Sequence, residues 1–321
     1  MCISIIIVNF NGHKLLEKCL HHVEAQTVLP EQVFVVDNAS TDGSLDIPGI
    51  SGRVTVMRLA DNVGFAKANN LALARCRTPF VALLNPDAFP APDWLERLLA
   101  AASVYPEYSM FGSRLVSSTN PELLDGDGDQ YHISGLVWRE GHGFDFKPEQ
   151  EPWEVFSPCA AAAMYRTEAL RQAGGFDEDF FCYVEDVDLG FRLRLLGHRC
   201  LQVPDAVVQH MGSATTGGQH SDFAIYHGHR NLVWTFFKNM PGVLFWLLLP
   251  LHVTVNLAAL FWFSTRGQGR VIFKSKRDAL SGLPCIWGKR CYVQANRAVS
   301  VGNIFKLLDK HIFHPTLNRS K

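Results

Sequence analysis

Four short polar clusters punctuate the first ninety residues: Asn9-Phe10-Asn11, Asp37-Asn38-Ala39-Ser40, Asp61-Asn62-Val63-Gly64 and Asn85-Pro86-Asp87. One such turn is ordinary, because Asp and Asn hydrogen-bond their own backbone and stabilise turns. A second feature is denser. Asp177, Glu178, Asp179, Glu185, Asp186 and Asp188 place six carboxylates within twelve residues. Helix capping and a favourable helix dipole account for one of them. Crowded beside aromatic residues, at least one is expected to have a perturbed proton affinity suited to general-base work.

The clusters gain meaning from the elements before them. Residues 3–8 are a continuous apolar run, as in a central parallel strand. Residues 13–25 have helical periodicity, and 33–36 form a second strand ending at Asp37. A short helix is expected from Ser44 onward, a third strand over 54–59, a helix over 66–76 and a fourth strand over 80–84. This alternation predicts an α/β fold, a mostly parallel sheet with helices on both faces. In such sheets ligands bind beyond the carboxyl ends of the strands. All four polar clusters sit there, so together they mark a site. Further along, 187–196 reads as an amphipathic helix stopped by Gly197, with Arg192 and Arg194 expected to pair with Asp188 and Glu185.

Residues 117–152 are rich in Gly, Asp and Pro and are expected to be a mobile loop over the site. Within them "LDGDGDQYHISG" imitates a calcium loop, but Gln130 stands where the turn glycine belongs and Leu136 where the closing Glu belongs. Eight cysteines show no C-x-x-C and no zinc spacing, as expected of reduced cytosolic thiols. The N-terminus reads as a buried strand, too short and too β-branched for a signal peptide.

Six motifs occur in order: "SIIIVNFNG", "VVDNASTDGS", "DNVGFAKANN", "LLNPDA", "GGFDEDFFCYVEDVDLGFRLRLLG" and "VVQHMGS". In this order the chain resembles the family-2 inverting glycosyltransferases of the GT-A fold, most closely their rhamnosyltransferase-like branch, over about residues 3–240. The resemblance implies transfer from a nucleoside-diphosphate sugar, dTDP-rhamnose or a UDP-hexose, to a lipid-linked saccharide in surface polysaccharide biosynthesis. It implies that Asp37 hydrogen-bonds the donor's pyrimidine, with Asn9 and Asn11 bordering that pocket. Asn62, Gly64, Lys67 and Asn70 match the segment lining the nucleotide and diphosphate. Asp87 matches the last Asp of the family's D-x-D, which holds Mg²⁺ or Mn²⁺ on the diphosphate; Asn85 replaces the first, leaving one anionic ligand fewer. Asp186 matches the base, with Glu185 beside it, and His210 matches a metal- or diphosphate-contacting histidine. The chemistry is consistent: a hard cation neutralises the leaving diphosphate, and an opposed carboxylate permits single displacement with inversion.

Residues 243–263 form a 21-residue stretch without formal charge, long enough to span a bilayer but interrupted by Pro250, His252, Thr254 and Asn256. Aromatics stand at both ends, and Arg266, Arg270, Lys274, Lys276 and Arg277 follow. From Ser264 onward twelve Lys/Arg face two Asp/Glu. The expectation is two regions: a catalytic domain over 1–240 and a membrane-associated helical tail over 241–321. A helix or helical hairpin would lie in the inner leaflet at the cytoplasmic face of the plasma membrane, its basic residues on anionic lipid rather than nucleic acid. A span would put the positive tail outside, against the positive-inside tendency. Nucleotidyltransfer is disfavoured because "NFNGHKLL" lacks a Gly-rich basic loop, and dinucleotide oxidoreduction because G-x-G-x-x-G is absent. A catalytically inactive relative serving as a binding or assembly subunit is the competing reading.

Overall fold

The computed structural model describes residues 2–45, 47, 52–146, 151–212 and 221–311, apart from the side chain of His13. The first hundred residues run β1 (Ile3–Asn9), α1 (His13–Glu24), β2 (Gln32–Asp37), β3 (Val54–Arg58), α2 (Gly64–Leu73), β4 (Phe80–Leu84), β5 (Ala88–Pro90) and α3 (Trp94–Val104). Most of the helix expected from Ser44 falls outside the described residues, and 44–45 form a turn. Strands β3, β2, β1 and β4 lie side by side and parallel. Their apolar runs serve both faces. Ile3, Ile5 and Ile7 pack with Leu16 and Cys19 of α1 and Trp94 and Leu98 of α3. Ile6 and Val8 point the other way, to Ala66, Ala68 and Ala72 of α2.

The chain continues through β6 (Tyr108–Ser117), β7 (Leu124–Gly126), β8 (Asp129–Tyr131), β9 (Val137–Arg139), β10 (Trp153–Glu154), β11 (Ala162–Arg166), α4 (Thr167–Gln172), α5 (Glu185–Leu195) and β12 (Arg199–His210). The sheet reaches ten strands and becomes mixed in this half. Strand β11 is antiparallel between β4 and β6, and β5 is antiparallel to β12. Where the sequence suggests a loop over 117–152, the structure has β7 on the edge of β6 and a β8–β9 hairpin. Each of these strands is three residues long, too short for alternation to show.

Among the described residues four helices follow: α6 (Asp222–Asn239), α7 (Gly242–Thr265), α8 (Gly269–Ala295) and α9 (Val301–Leu307). Helices α7 and α8 form a hairpin, and α8 lies along α6. Trp234 Nε1 donates to the Ala279 carbonyl (3.0 Å), Ser275 Oγ to that of Tyr226 (2.8 Å), and Arg290 to those of Phe237 and Met240 (2.9 and 2.6 Å). Helix α7 is apolar and long enough to cross a membrane. Two of its interrupting polar residues, His252 and Asn256, share the face turned to the protein, while Thr254 is exposed and donates to the Pro250 carbonyl of its own helix. His252 stacks on Phe236 at 4.0 Å and donates to the Ser134 carbonyl (2.8 Å), while Asn256 accepts from Lys276 (2.5 Å). The opposite face exposes Trp246, Leu247, Leu257 and Phe261.

One buried ion network fixes this helical layer to the sheet domain. Lys238 of α6 is 1% exposed, with Nζ 2.5 Å from Asp177 and 2.8 Å from Asp188. Lys289 of α8 joins Asp177 and reaches Asp179 at 2.7 Å. Breaking a buried pair from one side strands a charge, at a cost of about 3–5 kcal/mol. Lys238→Met is therefore expected to lose about 3 kcal/mol, seen as a lower urea midpoint at unchanged m. Burial pushes the Asp177 carboxyl up, but Lys238 and Lys289 outweigh it and hold it below the ordinary range. Its share of stability is present above that range and lost as pH falls through the depressed value. Lys238→Met should therefore be less acid-sensitive than the parent protein; an unshifted midpoint would show that the network carries little.

Candidate active site

A cavity of about 860 Å³ opens at the carboxyl ends of β1, β2 and β4. Asp87, directly after the β4 turn, and His210, the last residue of β12, form one wall. The β5–β12 ladder brings them together by pairing Ala88 with His210, and His210 Nε2 lies 3.4 Å from Asp87 Oδ1. The imidazole is buried, and its Nδ1 donates to Asp125 Oδ2 at 2.8 Å. Burial disfavours the imidazolium, but Asp125 and Asp87 more than offset this and hold the His210 pKa above its ordinary value. Asp125 falls to about 2, because His210 and Arg139 outweigh its own burial. Nε2 has no aligned hydrogen-bond partner among the described residues. A histidine oriented by a carboxylate, with its other nitrogen turned to an acid, has the arrangement of a metal ligand. Together with phosphate oxygens, the set suits Mg²⁺ or Mn²⁺.

The first turn of α5 supplies another part of the wall. Asp186 accepts from the backbone of Ala160 (3.1 Å) and of Val187 (2.8 Å). Glu185 is buried, and its Oε2 lacks a partner among the described residues. Burial, then the charge of Asp186, holds the Glu185 carboxyl well above its ordinary range. The two neighbours are thus told apart, Glu185 being kept protonated by its surroundings. Asp129, Cys159 and Asp186 have ligand atoms within 4.8 Å of one another. A hard cation would find only two carboxylates there, since burial pushes the Cys159 thiol up and keeps it protonated. Asp129 is lifted to about 7 by burial and by Asp186. This group is better suited to sharing a proton than to holding a metal.

The remaining expected residues divide. Asn62, Gly64 and Asn85 line the cavity. Gly64 has φ +85°, and a Cβ there would lie 2.6 Å from Phe181, so the close approach requires glycine. Asn9, Asn11 and Asp37 form a network behind Phe10 and Asn38, which do reach the cavity. Asn9 Nδ2 donates to Asp37 (3.1 Å) and Ser40 (3.2 Å), and Asn11 accepts from the backbone of Thr41 (2.9 Å). Lys67 lies outside the cavity wall, 3.9 Å from Glu178. Asn70 fastens α2 to the next turn, donating to the carbonyl and accepting from the amide of Phe176 (2.9 and 2.8 Å). Arg192 pairs with Asp188 as expected (2.9 Å), but Arg194 pairs with Glu154 (2.5 Å) and not with Glu185. It lies nine residues beyond Glu185, over two turns along α5, which puts the two at opposite ends of the helix. Asp125, Asp129, Arg139 and His142, all from the stretch read as a loop, have no expected role in the sequence. The Asp-rich run that imitates a calcium loop is a signal for Asp125 and Asp129; Arg139 and His142 lie beyond it and carry none.

The family model for glycosyl transferase family 2 matches residues 4–174, more than half of the chain. The chain belongs to that family. An N-acetylglucosaminyl-diphospho-decaprenol L-rhamnosyltransferase of Mycobacterium tuberculosis is 28% identical over 250 residues, covering 67% of this chain and 78% of the relative. The pre-mycofactocin glycosyltransferase of the same organism is 34% identical over 181 residues, 56% of this chain and 37% of its own. S. aureus TarS 1-349, solved with UDP-GlcNAc, superposes with a TM-score of 0.60 at 17% identity, covering 96% of this chain and 90% of that one. A mannosyltransferase of Pyrobaculum calidifontis, solved with GDP-Man and Mn²⁺, gives 0.54 at 19% identity over 95% of this chain and 87% of that one. These likenesses establish the GT-A fold.

The protonated state of Glu185 in this family-2 chain has a thermodynamic consequence. With the folded pKa raised above the unfolded value, its contribution is fully present at acid pH. It is lost as pH rises through the folded value. Glu185→Gln keeps the shape and stays neutral. It should melt near the parent temperature at about pH 5 and above it at about pH 8.5, outside the ordinary glutamate range. Parallel pH profiles for the two proteins would mean that Glu185 is ionised in the fold.

Proposed function

We propose that this family-2 glycosyltransferase transfers a sugar from a nucleoside-diphosphate donor to a hydroxyl of a lipid-linked saccharide, by single displacement with inversion, in surface polysaccharide synthesis. One observation carries the reading: a single cavity brings together Asp87 and His210, which would hold a cation, and Asp186, which would act as the base. Asp37, oriented by Asn9 and Ser40, would accept from the donor's pyrimidine, and Asn62 and Asn85 would face the nucleotide and diphosphate. A divalent cation held by Asp87 and His210 would supply charge neutralisation for the departing diphosphate. Asp186 would take the acceptor hydroxyl proton, with Glu185, kept neutral, adding no second charge to repel it. The rhamnosyltransferase relative favours dTDP-rhamnose over a UDP-hexose and a diphosphate-linked polyprenol saccharide as acceptor.

A lipid-linked acceptor requires the enzyme to work at a membrane. Helix α7 is fastened to the domain along its polar face, which favours a peripheral or monotopic helix in the cytoplasmic leaflet over a span. Arg266, Arg270, Lys274 and Arg277, exposed around the hairpin turn, would meet anionic headgroups. Lys276, Lys289 and Arg290 are committed to internal partners and take no part in that contact.

The test is a donor panel of dTDP-rhamnose, UDP-glucose, UDP-galactose and UDP-GlcNAc, with a polyprenyl-diphosphate N-acetylglucosamine acceptor, read by mass spectrometry. Rhamnosyl product is expected, suppressed by excess EDTA. Asp186→Asn should cut turnover about 10²–10⁴-fold while calorimetry shows nucleotide affinity retained. Absence of both transfer and donor hydrolysis across the panel would favour the inactive binding subunit. Membrane attachment is tested separately by sedimentation. The parent protein should resist a salt wash and yield to detergent, because only the charge contribution is screened. A Trp246→Ser, Leu247→Ser, Phe261→Ser triple variant should stay in the supernatant. Equal pelleting of the two proteins would remove α7 from the membrane contact.

A further inference from the structure

We propose that Asn231, on α6, is a positioning residue for the transfer step. Its carboxamide holds the strained turn that aims Glu185 and Asp186 into the cavity. The functional half of this inference rests on the reading of Asp186 as the base; the structural half stands without it.

The segment Phe181-Cys182-Tyr183-Val184 leads directly into α5. Phe181 has φ +65° and ψ −69°, and Cys182 N donates to the Phe180 carbonyl at 2.8 Å. That is a γ-turn of the rare, positive-φ kind. Tyr183 and Val184 follow at φ +65° and +67°. Left-handed backbone is unfavourable for L-residues, and a β-branched residue such as Val184 is a true outlier there. The segment contains no glycine to ease it. Three such residues in four positions persist only where the surroundings impose them.

Asn231 imposes them. It is fully buried, and its Nδ2 lies 3.0, 2.9 and 2.7 Å from the carbonyl oxygens of Phe180, Cys182 and Tyr183. The turn is wound around this one amino group. Arg230 Nε donates to Asn231 Oδ1 at 3.0 Å, which fixes which end of the amide faces the turn. The same guanidinium reaches the carbonyls of Asp179 and Phe180 (3.1 and 2.9 Å). On its other side the turn meets α2, where Ala66 N donates to the Phe181 carbonyl at 3.1 Å. The first turn of α5 therefore starts where Asn231 places it, and with it the Asp186 contact to Ala160.

The experiment compares Asn231→Ala and Asn231→Asp with the parent enzyme, and with Trp234→Phe as a control. Asn231→Asp keeps the shape but replaces the donor by a carboxylate facing three carbonyls. Trp234→Phe removes the hydrogen bond from α6 to α8 while keeping an aromatic ring against Phe180 and Arg230. Both Asn231 variants should lose about 10–100-fold in kcat, the scale on which sub-ångström misplacement acts. Nucleotide Kd and donor KM should change less than about threefold, and backbone amide exchange should rise selectively over 181–187. The control should lower the melting temperature and leave kcat in place. Should either Asn231 variant not fold, Arg230→Gln, which frees the amide to turn, should show a smaller loss of kcat in the same sense. Parent-like kcat in the Asn231 variants, or a loss that merely follows melting temperature as in the control, overturns the proposal. If the parent enzyme transfers from no donor, the functional reading fails. Amide exchange over 181–187 then still decides whether Asn231 holds the turn.

Discussion

Six carboxylates in the twelve residues from Asp177 to Asp188 repel one another, and the fold can bring them together only by giving each a different environment. Asp188, fully buried, is neutralised by Arg192 and Lys238. Asp177 is neutralised by Lys238 and Lys289. Asp179 takes the other side of Lys289, and Glu178 accepts from Asn70. Glu185 is neutralised by a proton. Asp186 is left at the cavity with two backbone amides and, among the described residues, no ion pair. The sorting of charge thus leaves Asp186, one of six similar groups, at the cavity without an ion pair among the described residues.

That sorting draws on residues far away in sequence, which ties the helical layer to the acidic turn. Lys238 and Asn231 come from α6, Lys289 from α8, and α8 is held on α6 by Trp234, Tyr226 and Arg290. A boundary near residue 240, natural on composition, would cut through this arrangement: a chain ending there loses Lys289 and exposes the face of α6 that α8 covers. Helix α7, whose outer face is apolar, packs on α8, and α8 with α6 surrounds the acidic turn at the cavity. The exposed apolar face and the geometry of the site therefore belong to one packed unit.

The sequence was most informative where structure is local and repetitive. Each parallel strand carries its own apolar run, so the strand ends, and with them Asp87, Asn62 and Asn85, could be read directly. The acidic turn before α5 was legible as a place of chemistry because charge density needs no partner to be seen. What stayed hidden depends on non-local pairing. Asp125 orients His210 from 85 positions away, and strands of three residues carry no period that would have announced it. The role of Asn70 as a fastener of the Phe176 turn was equally invisible, since an amide in a helix looks the same whether it faces ligand or backbone. Arg194 was misjudged because proximity in sequence was taken for proximity in space; its partner Glu154 lies on β10, across the sheet edge.

The hydrophobic stretch shows how a local exception can carry more information than the rule it breaks. Length and composition alone describe 243–263 as a span. His252 and Asn256 lie one turn apart and so on one face, and both are satisfied by protein: Ser134 for the first, Lys276 for the second. In a spanning helix those groups would sit near the bilayer centre, where polar atoms are costly unless partnered within the membrane. Here their partners are a hairpin turn of the catalytic domain and a lysine of α8, both parts of the same folded body. A helix tied at mid-length to the folded domain has its axis constrained along the domain surface, and its exposed stripe from Trp246 to Phe261 runs along that surface.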